Sequence, residues 1–209
     1  MSLAELKDLK RRVAGERSSL TKTEVISEAG PVDVRQLRKD NDELAIDLKN
    51  RFTELGEIIK SKRFGGELDL GVNPDEINWK SMPGDLVNIF KPEFAFQPEE
   101  ITSFCIKPTT ASPEGVGIRI DLKRNKSYWS HVLVEAIVRK DYVAGSSYIS
   151  CESDISQVKA AREAMQFLND SLWGRNPSQL VRSYNELVFG EKVLNFVVGE
   201  VKRRIQDIP

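Results

Sequence analysis

The chain is poor in the residues that do most protein chemistry, with one histidine, His131, and two cysteines, Cys105 and Cys151, among 209 residues. So few ligands, so far apart, cannot furnish a typical structural zinc site. Histidine is the usual general base near neutral pH, so any Ser-His-acid or Cys-His mechanism would have to run through His131. No serine stands in a G-x-S-x-G elbow, and neither cysteine has the sequence surroundings of a known nucleophile. Both cysteines lie in apolar, strand-like stretches, where a free thiol behaves as a small core residue, so buried reduced thiols are expected.

Other absences narrow the field further. The phosphate-cradling patterns G-x-x-x-x-G-K-[ST] and G-x-G-x-x-G are missing, and nothing in the sequence calls for a cofactor. No apolar run approaches the roughly 18 residues a membrane span needs, and the N-terminus lacks a signal-peptide core, so an intracellular, cytoplasmic protein with no membrane partner is expected. Thirty-one basic residues against 32 acidic ones leave a formal net charge of −1. No bulk field therefore draws the chain to nucleic acid, and any such binding must be local.

What the chain does have is a seam. Val34, Leu37, Leu44, Leu48, Leu55 and Ile58 recur at helical steps, with Asn41 and Arg51 on the same stripe. This spacing predicts an amphipathic, coiled-coil-like helix over 33–63, capped by Asp33 behind the Gly30-Pro31 breaker and ended by Phe64-Gly65-Gly66. A narrow apolar stripe needs a partner, and polar residues such as Asn41 and Arg51 within it set register and partner choice. Ahead of it, Leu3, Leu6, Leu9 and Val13 predict a short amphipathic helix over 3–13.

Beyond the seam, prolines at 74, 83, 92, 98 and 108 break every pattern, so 65–112 reads as a segment that wraps over a partner. Gly115 to Arg124 alternates as a strand, with Val116, Ile118, Ile120 and Leu122 on one face. Residues 127–140 place Trp129, Val132, Leu133, Ala136 and Ile137 on a helical stripe, and helix is expected despite the β-branched content. A short strand over 142–151 follows. Three C-terminal helices then run from Ser153 to Leu172, from Pro177 to Val188 and from Val193 to Ile205, with Gly174 and Gly190 as interruptions. The expected fold is mainly α with a small β-sheet (α+β): an N-terminal helical arm over 1–64, the wrapping segment over 65–112, and an α+β core over 113–209.

The function expected from this organisation is non-enzymatic. A structural or protein-interaction subunit, such as a virus- or phage-like assembly subunit or scaffold, would assemble with its own copies or another protein through the seam of Val34, Leu37, Asn41, Leu44, Leu48, Arg51, Leu55 and Ile58. A basic N-terminal stretch facing an acidic middle would support contact between copies.

Two alternatives carry residues of their own. Lys7, Lys10, Arg11 and Arg12, together with Lys123, Arg124 and Lys126 beside Tyr128 and Trp129, would contact phosphates in a nucleic-acid binder. Asp121-Leu122-Lys123 resembles the D-x-K half-motif of restriction-endonuclease-like nucleases, which would imply metal-dependent phosphodiester cleavage with Glu114 or Glu54 as a further carboxylate. Glu114 stands closer to Asp121 than that family's pattern has it.

Overall fold

The computed structural model describes residues 33–61, 63–71, 80–84, 86–87, 90, 101–109, 114–124, 129–152 and 178–206. Five strands form one antiparallel sheet in chain order: β1 (Leu68–Asp69), β2 (Ile101–Thr109), β3 (Gly115–Arg124), β4 (Trp129–Val138) and β5 (Val143–Glu152). Two long helices, α1 (Val34–Lys60) and α2 (Gln179–Gln206), pack on each other and on one face of this sheet. The expected N-terminal helix over 3–13 and the helix from Ser153 to Leu172 lie outside the described residues.

Alternation builds the core. Phe104 and Ile106 of β2, Ile118, Ile120 and Leu122 of β3, and Val132, Val134 and Ala136 of β4 all point to the helix side and are buried. Against them α1 lays Leu44, Ala45, Leu48, Phe52, Leu55 and Ile59, and α2 lays Leu187, Phe189, Val193, Leu194, Val197 and Val201. Each fully buried side chain of this size contributes about 1.5–3 kcal/mol before entropy is counted.

Asp33 caps α1 as expected, its carboxylate accepting from the amides of Arg35 at 2.9 Å and Gln36 at 3.3 Å. The buried stripe is wider than the seam. It adds Ala45, Phe52, Gly56 and Ile59 to Leu37, Asn41, Leu44, Leu48, Arg51 and Leu55, while Val34 is 59% exposed. A stripe this broad belongs to a helix seated on a globular core, whereas a two-stranded coiled coil needs only its a and d positions.

The expectation of a mainly α fold with a small sheet and three C-terminal helices is overturned in two places. Within the stretch expected to be helical at 127–140, Trp129–Val138 forms β4, an interior strand paired with β3 on one side and β5 on the other. β4 carries apolar residues on both faces, Val132 and Val134 on one and Leu133 and Ile137 on the other, which blurs the two-residue period. The C-terminus between Gln179 and Gln206 is one helix that passes through Gly190 without a turn. A Cβ at Gly190 would lie 3.7 Å from Phe52 and 3.8 Å from Leu48. The glycine therefore marks the close approach of α2 to α1, not a break.

The two sheet edges are closed by different means. At β2, Leu70 donates its amide to the Phe104 carbonyl at 2.8 Å, so even-numbered residues of β2 turn their backbone groups outward. Pro108 occupies one of those positions, where a missing N–H costs no ladder bond, and a register shift between Ile101 and Ser103 bends the far end. At β5 the closure comes from the helices. Val143 offers its carbonyl to Asn41 Nδ2 at 3.4 Å, Gly145 donates its amide to Ser183 Oγ at 2.9 Å, and Ser147 donates its amide to the Glu186 carboxyl. Such capping leaves no bare ladder for another chain to extend at these positions.

Candidate functional site: the second face of the sheet

The sheet's other face is built by odd residues of β2 from Ser103, of β3, and of β4 from His131, with Ala144, Ser146 and Tyr148 of β5, and none of them belongs to the core beneath the helices. Cross-strand register arranges it in rows. Cys105, Asp121 and His131 stand opposite one another, followed by Lys107, Arg119, Leu133 and Tyr148, then Thr109, Gly117, Glu135 and Ser146.

The first row is buried, with Cys105, Asp121 and His131 at 2%, 4% and 7% exposure. Arg119 Nε reaches Asp121 Oδ1 at 2.5 Å, and the His131 ring lies 5.5 Å from the Tyr148 ring at a 40° tilt. Burial pushes the Cys105 thiol up, against the opposing pull of the Ser103 hydroxyl, which donates to Sγ at 3.6 Å, and of Lys107. A thiol held protonated is a poor nucleophile. Asp121 also stands between Cys105 and His131, which are two strands apart, roughly 9.5 Å at the usual strand spacing. This row cannot deliver a thiol to an imidazole base.

The second row is the accessible one. Tyr148 is 55% exposed, Leu133 and Arg119 are half-buried, and Lys107 is paired with Glu67 of the β1 edge at 2.9 Å. In the third row a Cβ on Gly117 would come within 2.7 Å of Glu135 Cγ and 2.0 Å of the Val134 carbonyl. Glycine there is what lets the Glu135 stem lie flat across β3.

The expected site residues scatter. Leu37, Asn41, Leu44, Leu48, Arg51 and Leu55 are buried inside this chain and Ile58 packs at the rim of its core, whereas Val34 is exposed. The two polar members do set register, but within the chain. Asn41 Oδ1 accepts from Ser183 Oγ at 2.7 Å, and Arg51 bonds Asp47 and Glu191 at 3.1 Å each and Asn195 at 2.9 Å. Lys7, Lys10, Arg11, Arg12 and Lys126 lie outside the described residues, as does the Arg124 side chain, and Lys123 is exposed.

Nor do the nuclease residues meet. Asp121 is bound to Arg119, Glu114 is bound to Arg139, and Glu54 belongs to α1 on the helix side of the sheet. Among the described residues, no three His, Cys, Asp or Glu side chains are placed to hold a metal ion. An open groove of about 620 Å³ beside α2, lined by Ser81, Pro83, Lys192, Asn195 and Phe196, has Lys192 as its one ionisable lining residue among those described.

The sequence did not bring Arg119, Leu133 and Tyr148 together, because strand register alone makes them neighbours. The alternation of β3 already put Arg119 on the polar face. No protein-family model, curated protein or solved structure matches this chain. Among the described residues, no helix is long and apolar enough to cross a membrane.

Proposed function

We propose that the chain is a non-enzymatic structural or protein-interaction subunit, working in the cytoplasm, that assembles with a second copy of itself. The observation that carries this is the row Arg119, Leu133 and Tyr148, set side by side on three adjacent strands of a rigid sheet. Tyrosine and arginine around an aliphatic centre are the side chains enriched in interface cores and among binding hot spots. Tyr148 has few rotamers to lose, and its half-exposed ring leaves apolar area for a partner to cover.

Because the helical seam is occupied from within, this role falls to the sheet. The basic N-terminal stretch, with Lys7, Lys10, Arg11 and Arg12, would add a second contact to the acidic middle of a neighbouring copy. Light scattering over a concentration series tests this. Assembly above one chain mass that is lost in Tyr148→Asp is expected, and a monomer throughout would refute it.

A nucleic-acid reading has one observation in its favour, exposed Lys123 on the same face as exposed Tyr148, which is the stacking-plus-cation logic of single-strand binding. Against it, Arg119 and Lys107 are bonded to Asp121 and Glu67. Salt-titrated filter binding separates the two, since phosphate contacts weaken steeply as salt rises.

A further inference from the structure

We propose that the groove beside α2 binds a small organic anion, a carboxylate on an apolar body, with Lys192 and Asn195 receiving the carboxylate and Phe196 the body. At about 620 Å³ the groove has the volume of a ligand site. One wall is a single stripe of α2, because Lys192, Asn195, Phe196 and Gly199 follow at three- and four-residue steps. Phe196 is 4% exposed and forms its floor. The opposite wall, Ser81 to Gly84, is anchored at several points. Met82 is buried in the core, the Val87 amide donates to the Pro83 carbonyl at 3.0 Å, and Ser81 Oγ donates to Glu200 Oε1 at 3.4 Å. Two fixed elements therefore hold the groove open.

The packing of the fold does not account for the glycines of this groove. In α2, Gly190 is required by the approach of Phe52 and Leu48, whereas a Cβ on Gly199 would meet nothing within 4 Å. The same is true of Gly84 across the groove. A glycine inside a helix weakens it relative to alanine, and at Gly199 no close contact offsets that loss. What the bare backbone supplies is depth.

Charge selects the occupant. Among the described residues Lys192 is the ionisable side chain that lines the groove, and the acids next to it on α2 are engaged by guanidinium groups. Glu191 pairs with Arg51 at 3.1 Å and Glu200 with Arg203 at 2.7 Å. Arg51 also donates to Asn195 Oδ1 at 2.9 Å, which leaves the Asn195 amide nitrogen as the donor for the groove. A cation and a neutral donor above a buried aromatic floor match one negative head on an apolar body.

Backbone amide NMR shifts of the full chain, titrated with phenylbutyrate and in parallel with the neutral phenylbutyramide, test this. Saturable shifts are expected at Lys192, Asn195, Phe196 and Gly199, with the acid bound about fivefold tighter than the amide, the scale of a partly screened ion pair. That preference should vanish in Lys192→Gln. In Gly199→Leu, whose side chain enters the open groove, the shifts should be lost while the melting temperature is kept or raised. The proposal is overturned by a wild type without saturable shifts on this stripe, or by equal binding of acid and amide. It is overturned equally by a Lys192→Gln protein that keeps the preference, or by a folded Gly199→Leu protein that binds as the wild type does. If Gly199→Leu does not fold, the Lys192→Gln comparison decides alone.

Discussion

The two faces of one sheet carry opposite chemistry on the same strands. Beneath the helices, Phe104, Ile106, Ile118, Ile120, Leu122, Val132 and Val134 form an apolar layer with at most 1% exposure. One residue along each strand, the other face sets Cys105, Lys107, Arg119, Asp121, His131 and Glu135 among Leu133, Ile137 and Tyr148. Apolar area alone would have served stability on either face. The proposed recognition rests on the face that instead arranges ion pairs and a half-exposed tyrosine in register, and the fold is held by the helix face.

That contrast can be broken from the core side with the largest effect. Leu48 is fully buried between α1 and the sheet, so Leu48→Asp should abolish cooperative folding, seen as loss of the thermal transition by circular dichroism. Retention of the fold with loss of assembly would instead return the α1 seam to an external partner. Next in size is Gly145→Val, which drives a branched side chain into Leu187 and the Ser183 carbonyl and should cost about 1–3 kcal/mol or more in urea unfolding.

A loss of the same order, without the steric excess, belongs to Asn41→Ala. It strips Ser183 of its acceptor and the Val143 carbonyl of its donor, costing about 1–3 kcal/mol with unchanged urea m-value. The smallest falls on the second face, where Tyr148→Asp should move stability by no more than about 0.5 kcal/mol. If that substitution destabilised as much as Asn41→Ala, the two faces would not divide stability from recognition.

Much of the fold was legible where one periodicity acted alone. β3 alternates cleanly because one face is core and the other carries Arg119, Asp121 and Lys123. Asp33 and the leucines of α1 were equally plain. β4 was not, since Leu133 and Ile137 on the second face mimic a helical stripe when read with Val132 and Ala136. Gly190 failed for a related reason: a glycine that admits Phe52 looks, in sequence, like one that ends a helix.

The candidate site was the least legible part. Arg119, Leu133 and Tyr148 are separated along the chain and become neighbours only through the pairing register, which no local pattern encodes. Likewise Asn41 announced a polar contact without naming Ser183, well over a hundred residues away. The seam said correctly that α1 must be covered. Its narrowness was misleading because Ala45, Phe52 and Ile59, which the seam did not include, complete a face broad enough for a sheet and a second helix.

We propose that a second copy docks on the face of the sheet that carries Arg119, Leu133 and Tyr148. The most direct test of this docking is the molar mass of the wild type and of Tyr148→Asp, measured by light scattering across a concentration series alongside their melting temperatures. A wild type above the 23.6 kDa chain mass is expected, with the variant at that mass and its melting temperature unchanged. A wild type that stays at one chain mass throughout, or a Tyr148→Asp protein that assembles as the wild type does, would contradict it.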